Sequence, residues 1–535
     1  MAKRPNIIIF NPDEMRYDAM HHLLRNLAAI TPNLDKFAKE DAVSFSNAYC
    51  QNPVCVPSRC SFMTGLYPHT RGHRTMNFLL HPGEDSLLKE LHDNGYYVWM
   101  NDRNDLTAGQ IDGWTESPAD EIHYYEQRRR EPGAKNKEKK QKGDKGFYSH
   151  NAGELAVDTD GLNYNSDDEA VDSAIERLKN PVDDRPLCIF LGLFYPHVPY
   201  NIEEPYYSMI DRNKLPKRIK LEDCKDKAPI LTKLNELQNL KYDEKDWDEL
   251  RSIYLGMCTK VDAQFGRLVD ALKKEGLYDD TAIFFFSDHG DYCGDYSLVE
   301  KSQNTFEDCL TRVPLLVKPP KGYKVDPGIS DSLCELVDFY ATALEYANVK
   351  STHTHFGQSL SPLIANRNIE GREYVFSEGG REKGETHCDE YHQAGPNGPN
   401  ENNDYWPKMM AQKEDDLHDR GIMMRSKKYK YVSRSRTKDE FYDLANDPDE
   451  KINQIDNPKY AQQILTMKND MLKWLQRTSD IVPYEIDARF TKQMMWSKVQ
   501  GWVPPEEKEN VLKLIDGGIS FNQLIFHCVS LLKKK

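Results

Sequence analysis

The chain has 535 residues, 39% apolar and 29% charged, with a mean hydropathy of −0.75. Its 71 Lys and Arg against 86 Asp and Glu leave a formal charge of −15, which disfavours sequence-independent nucleic-acid binding, because that needs a basic footprint. The apolar content excludes wholesale disorder, and no apolar stretch approaches the roughly 20 residues of a membrane span.

The first strand signal is Ile7–Phe10, a continuous apolar run of the kind buried on both faces of a helix-covered sheet, and it leads into Asp13 and Glu14. Its basic flank and four apolar residues are too short for an export signal. The expected compartment is therefore the cytoplasm, with the 11 cysteines as reduced thiols. Thr31-Pro32 opens a helix, Thr as N-cap and Pro at the first helical position, with Leu34, Phe37 and Ala38 as its apolar stripe. In Cys55–Gly65, Pro57 suits a first helical turn and Gly65 the position past the helix end. Cys55 then sits at a helix N-terminus, where unpaired N–H groups favour anions and would lower a thiol's pKa. Arg59 lies one turn on, able to bind an oxyanion with two donors.

Further along, the strand Tyr96–Met100 ends at Asp102, Arg103, Asn104 and Asp105. A basic run over Gln127–Lys145 reads as a solvated insertion loop. Asp167–Lys179 and Asp246–Lys274 read as amphipathic helices, and the strand Leu187–Phe194 between them leads to His197. The strand Ala282–Phe286 is followed by Asp288, His289 and Asp291, with Gly290 and Gly294 fitting a tight loop; Pro314–Val317 is a fifth strand signal. After a loop-rich stretch from Gly379 to Asn403, Gly421–Arg425, Tyr429–Ser433 and Phe441–Leu444 read as antiparallel strands, then Pro458–Thr478 as a helix. The expected fold is α/β: a large mixed, mostly parallel sheet sandwiched by helices, with a smaller C-terminal α+β domain. The expected divisions are a catalytic domain over 1–375, the small domain over 376–480, and an extension over 481–535 that packs on the core or on a neighbouring subunit of a homo-oligomer.

Ligands of open α/β sheets bind beyond the carboxyl ends of the strands. Four such ends here deliver carboxylates, imidazoles and a guanidinium to one rim. Asp13, Asp288 and His289 have the character of ligands for a hard-to-borderline cation, and an oxygen-rich set favours Ca²⁺ or Mg²⁺. Asp291 is a candidate to steady His289. His69, His73 and Asn77, which follow the Cys55 segment, are candidates for a pocket entrance.

Cys55-Val56-Pro57-Ser58-Arg59 with Thr64-Gly65 resembles the signature of the type I sulfatases of the alkaline phosphatase superfamily. The resemblance extends from about residue 4 to 480. It takes in Arg4–Phe10 leading to Asp13, Thr31-Pro32-Asn33-Leu34-Asp35, Ser287–Asp291 with Gly294-Asp295 and Lys301, Glu307 with Arg312–Leu315, and Lys428–Tyr431 with Phe441–Leu444 and Asp447-Pro448. It implies that a formylglycine-generating or anaerobic sulfatase-maturating enzyme oxidises Cys55 to formylglycine, whose hydrated aldehyde is the nucleophile. It also implies a divalent cation, Ca²⁺ ahead of Mg²⁺ or Mn²⁺, held by Asp13, Glu14, residue 55, Asp288 and His289. Arg59, Lys301 and the cation would neutralise the sulfuryl oxygens, and His197 or Lys301 would protonate the leaving alcohol. Arg103, Asp105 and His73 would contact the substrate, a small organic sulfate ester.

Three departures qualify what carries over. The family's paired aspartates are Asp13-Glu14 here, and its frequent Gly-Lys-x-His is Asp102-Arg103-Asn104-Asp105, leaving a substrate hydroxyl, a cationic group or Arg103 as possible partners of Asp105. The pair Asp288-His289, in place of Asp-Asn, also occurs in relatives that cleave phosphonate monoesters, phosphodiesters or choline sulfate. The expected activity is hydrolysis of aryl or sugar sulfates. The alternatives are a phosphonate monoester or phosphodiester hydrolase on the same site, and an unmodified, non-catalytic binding relative.

Overall fold

The computed structural model describes residues 4–126, 133–135, 140–159, 161, 163–385, 398, 400–482 and 489–533. The basic run and the loop after Gly379 lie in large part outside them.

Among the described residues fifteen strands follow in chain order. They are β1 (Asn6–Pro12), β2 (Val43–Tyr49), β3 (Tyr97–Asn101), β4 (Glu121–His123), β5 (Asn151–Glu154), β6 (Leu187–Leu193), β7 (Tyr200–Ile202), β8 (Thr281–Phe286), β9 (Arg312–Val313), β10 (Leu315–Lys318), β11 (Gly328–Glu335), β12 (Val375–Gly379), β13 (Gly421–Arg425), β14 (Tyr429–Arg434) and β15 (Glu440–Asp443). The large sheet runs β11-β2-β10-β8-β1-β6-β3-β4, with β9 beside β2. All neighbours along this path are parallel except β10, which is antiparallel to β8 and β2. The architecture is thus the mixed, mostly parallel α/β sheet expected, with the Pro314–Val317 signal forming the antiparallel β10 and the short β9 also antiparallel to β2.

The strand β1 has an apolar run without alternation because both its faces are covered. Ile8 and Phe10 join Leu34, Phe37 and Phe265 on one side, and Ile7 and Ile9 join Phe62, Met63 and Phe339 on the other. The first side is closed by α1 (Pro32–Glu40) and the helix Glu244–Lys274, the second by α2 (Cys55–Thr64) and the helix Val337–Ala347. At the head of α1, Pro32 occupies the first turn and Thr31 the N-cap, yet the Thr31 side chain does not cap. Its hydroxyl is spent on Asp35, and the free N–H groups of Asn33 and Leu34 donate instead to Asp262 at 3.2 and 2.8 Å. A carboxylate from a neighbouring helix does the capping.

The strands β12 to β15 form a separate antiparallel sheet. Phe376, Met424, Tyr431 and Phe441 from it pack with Ile464, Met467, Met471 and Trp474 of the helix Ala461–Thr478, which a 3₁₀ turn (Pro458–Tyr460) precedes. Residues 1–481 make one compact unit and 482–535 another. In the latter, helices Lys492–Val499, Lys508–Asp516 and Phe521–Leu532 enclose Met495, Val499, Val511, Ile515, Leu524 and Cys528. Among the described residues no helix is long and apolar enough to cross a membrane.

The sheet also fixes a close approach that the site requires. Gly192, opposite Asn11 in the register of β6 with β1, has the Arg103 carbonyl where a Cβ would stand, 2.4 Å away, and Arg59 Nη1 at 3.2 Å. Gly192→Ala is expected to cost about 1–3 kcal/mol through overpacking and to push the Arg103 loop off Arg59. A lowered thermal midpoint together with reduced turnover would register both effects.

Candidate active site

The carboxyl ends of β1, β2, β3, β6 and β8 lie on one edge of the sheet, since β2 is antiparallel to β10 and so parallel to β8. That edge is tied together by side-chain amides. Asn11 Nδ2 donates to the Phe286 carbonyl at 2.8 Å, and Asn101 pairs with Gly192 through both its amide groups, at 2.9 and 2.8 Å. Asp13 and Glu14 follow β1, and Ser287, Asp288 and His289 follow β8. Gly290 then turns under the chain where a Cβ would meet the Cys309 carbonyl at 2.0 Å.

Cys55 opens α2, and Gly65, at φ 68°, closes it. The Cys55 Sγ lies 3.4 Å from both Asp13 carboxylate oxygens and 3.2 Å from His289 Nε2. One turn on, Arg59 Nε donates to Asp288 Oδ2 at 3.0 Å and Nη2 to Asp13 Oδ2 at 2.9 Å. Arg103 adds a second donor to Asp13 Oδ2 at 2.5 Å while its Nη1 holds the Leu193 carbonyl. Ser58 donates to the Asp288 carbonyl at 2.7 Å, docking α2 on the β8 loop. One ligand atom each from Asp13, Cys55, Asp288 and His289 fall within 4.8 Å of one another, and all four residues are buried.

These donors fit a divalent cation. His289 Nδ1 faces the Gly290 carbonyl at 2.9 Å, which can only accept, so the ring proton sits there and the Nε2 lone pair points at Cys55. Burial keeps the imidazole neutral by lowering its pKa, as a ligand needs. Asp13 is pushed up by burial, but the charges of Arg103 and Arg59 outweigh this and hold it well below the usual carboxylate range.

A second group adjoins the first. Glu14 turns at φ 68°, fixed by Tyr254, whose hydroxyl donates to the Glu14 carbonyl at 2.7 Å. Its carboxylate faces Lys301 Nζ at 3.3 Å and His197 Nε2 at 3.6 Å, and among the described residues its Oε1 has no hydrogen-bond partner. Asp13, Glu14 and His197 form a second set of possible cation ligands, with the Lys301 ammonium against Glu14 and His197. His197 Nδ1 donates to the Val198 carbonyl at 2.7 Å, leaving Nε2 to accept from Lys301 at 3.0 Å.

The sequence-expected residues Asp13, Cys55, Arg59, Arg103, Asp105, Asp288 and His289 are thus brought together, with Glu14, His197 and Lys301 beside them. His73 makes none of these contacts; its ring is engaged by the Phe78 carbonyl and Glu84. Two expectations are corrected. The Cys55 thiol is not lowered but raised well above the usual range, by burial and by the Asp13 charge. The group that steadies His289 is the Gly290 carbonyl, whereas Asp291 accepts from Tyr200 and from the Cys293 N–H. Sequence reasoning missed Glu300 and Lys408: Glu300 pairs with Lys301 at 2.8 Å and with Lys408. An acid beside Lys301 was a usable signal for the first; nothing in the sequence pointed to the second.

Residues 5–349 match the family model described as Sulfatase. The chain belongs to the sulfatase family. An arylsulfatase of Clostridium perfringens is 25% identical over 508 residues, covering 88% of this chain and 95% of that protein. A choline-sulfatase of Rhizobium meliloti is 25% identical over 521 residues, covering 91% and 90%. Among solved structures, a phosphonate monoester hydrolase of Agrobacterium radiobacter superposes with a TM-score of 0.72 at 19% identity, covering 90% of this sulfatase and all of that chain. A protein solved with its substrate D-glucosamine-2-N,6-O-disulfate gives 0.66 at 20% identity, covering 89% and 98%.

Two substitutions separate metal binding from folding. His289→Ala removes a neutral donor and strands no charge, so it is expected to empty the site of divalent cation, measured by elemental analysis, with little change in unfolding midpoint. Asp13→Asn deprives Arg103 and one arm of Arg59 of their shared carboxylate, which is expected to cost about 3–5 kcal/mol in denaturant unfolding.

Proposed function

We propose that this sulfatase hydrolyses organic sulfate monoesters, aryl or sugar sulfates, through a formylglycine made from Cys55. The observation that carries the reading is the seat of Cys55: at the head of α2, 3.4 Å from the Asp13 carboxylate and 3.2 Å from His289 Nε2, with Arg59 one turn on. A thiol pushed up in pKa at this position is a poor nucleophile in its own right, which is consistent with conversion by a maturating enzyme. When present, the hydrated aldehyde supplies the oxygen nucleophile, and a cation held by Asp13, Asp288, His289 and residue 55 supplies Lewis acidity. The predominance of oxygen donors suits Ca²⁺ ahead of Mg²⁺ or Mn²⁺.

The chain's own residues do the rest. Arg59 is committed to Asp13 and Asp288, so its main work is to hold two carboxylates together in a dry site. Arg103 and Lys301 are the cations that meet sulfate oxygens. Lys301 holds a proton 3.0 Å from His197 Nε2, and this pair hands a proton to the departing alcohol oxygen.

A second reading, phosphonate monoester or phosphodiester hydrolysis on the same residues, is favoured by the imidazole of Asp288-His289 facing Cys55 and by the fold shared with the phosphonate monoester hydrolase. The test is kcat/KM on 4-nitrophenyl sulfate beside bis(4-nitrophenyl) phosphate, with mass spectrometry of the tryptic peptide that contains Cys55. An aldehyde at residue 55 and the larger kcat/KM on the sulfate are expected, and Cys55→Ala should abolish both activities. Preference for the diester would move the assignment to the second reading. A thiol that persists beside a maturating enzyme, with neither ester cleaved, would leave a binding protein. His197→Ala is expected to slow alkyl sulfates by roughly 10²–10⁴-fold and nitrophenyl sulfate much less, since nitrophenolate leaves without a proton.

A further inference from the structure

Asp105 differs from every other carboxylate of the site. Asp13 and Asp288 are fully buried and hydrogen-bonded to arginine. The Asp105 side chain is 34% exposed, and its Oδ2 stands 3.7 Å from Arg59 Nη1 and 3.9 Å from Arg103 Nη2, beyond hydrogen-bond reach of both. Among the described residues its carboxylate accepts no hydrogen bond. Both of these arginines donate to Asp13, whose carboxylate lies 3.4 Å from Cys55 Sγ, so Asp105 stands beside the same cluster.

The loop holds Asp105 in this attitude. Its backbone is at φ 47°, a conformation that residues with side chains seldom adopt, although Asn and Asp tolerate it best. The residues on either side are pinned. Asn104 Oδ1 accepts from the N–H groups of Leu106 and Thr107 at 2.8 and 3.2 Å, Arg59 Nη1 reaches the carbonyls of Arg103 and Asn104 at 3.4 Å, and the Leu106 carbonyl accepts from Leu80. A strained residue locked by its neighbours, with an acceptor facing open space, points to a ligand contact.

Resting on the sulfatase reading above, we propose that Asp105 is the specificity-determining residue for the alcohol half of the substrate, accepting a hydrogen bond from a neutral hydroxyl on the carbon next to the esterified one. The enzyme then acts on sulfates of vicinal diols, as in sugars, in preference to simple alkyl or quaternary-ammonium sulfates. Charge decides between the candidates. A hydroxyl satisfies the free lone pairs without adding charge, whereas an ammonium drawn to Asp105 would also face Arg59 and Arg103, and like charges so placed are repelled. A substrate without a donor leaves the carboxylate no better hydrated than before.

The test compares trans-2-hydroxycyclohexyl sulfate with cyclohexyl sulfate and choline sulfate, as kcat/KM in the matured enzyme and as Kd in Cys55→Ser protein, which needs no maturation. A hydrogen bond to a charged acceptor predicts a preference of roughly 10- to 100-fold for the hydroxylated ester. Asp105→Asn and Asp105→Gly both accommodate the positive φ, so the loop keeps its course, and in each the preference is expected to collapse. Equal losses on both cyclohexyl esters would make Asp105 merely a prop for the arginines and overturn the proposal. So would a choline sulfate preference that Asp105→Asn removes, or the absence of any Kd preference in the Cys55→Ser protein. If no ester is hydrolysed by the matured enzyme but the Kd preference stands, the sulfatase reading falls and the hydroxyl contact survives.

Discussion

One buried guanidinium joins two buried carboxylates, and the edge of the sheet that carries the candidate site is organised around it. Asp13 and Asp288 are fully removed from water at the ends of adjacent strands. Two such charges about 4 Å apart repel by about 4 kcal/mol at an effective dielectric of 20. Arg59 offsets this with two donors of a rigid fork, one to each acid, a geometry that a lysine ammonium does not reproduce. The constraint reaches outward from there. The fork fixes where α2 lies, because Arg59 is one turn from Cys55, and Ser58 fastens the same turn to the Asp288 backbone. It also demands that Gly192 have no side chain, since the Arg103 carbonyl passes there to meet Arg59. The lie of the helix, the strand ends and the position of Cys55 are consequences of one ion triplet.

Much of this architecture is legible in the sequence because burial on both faces leaves a strong mark. The runs at β1, β6 and β8 lack alternation, and the polar residues that follow them mark the edge where a ligand sits. Strand β2 left no such mark: Val-Ser-Phe-Ser-Asn-Ala-Tyr mixes polar and apolar positions, and its place between β11 and β10 comes from pairing that no local pattern encodes. The antiparallel course of β10 is likewise a property of the connections. The helix around Cys55 was legible from Pro57 and Gly65, but the state of the thiol was not, because its burial and the Asp13 charge come from distant chain segments. His73 stands near the signature in sequence, and its ring is taken by Phe78 and Glu84, a local matter of loop packing.

Glu14 illustrates why residue type alone does not determine a role. Its backbone, at φ 68°, donates its N–H to Asp288 Oδ1 at 3.2 Å, while its longer arm sets its carboxylate against Lys301 and His197. The site therefore divides into two halves with Asp13 at their boundary. One half, with Cys55, Asp288 and His289, has the donors to hold a cation. The other, with Glu14, His197 and Lys301, has the groups to hold and move a proton.

The half with Glu14, His197 and Lys301 keeps an ammonium in a dry place, which is costly unless opposite charges surround it. They do so in alternation: Lys408 pairs with Glu300, Glu300 with Lys301 at 2.8 Å, and Lys301 with Glu14 at 3.3 Å. Burial raises Glu300, and the two lysines outweigh it and keep that carboxylate ionised; Glu14, with only one lysine and with Glu300, Asp291 and Asp13 opposing it, is driven up by burial instead. The asymmetry matters for chemistry. A firmly charged Glu300 anchors Lys301 from one side, while Glu14, raised by burial, gives the lysine a softer partner on the side of His197, the side from which a proton leaves in the proposed reaction.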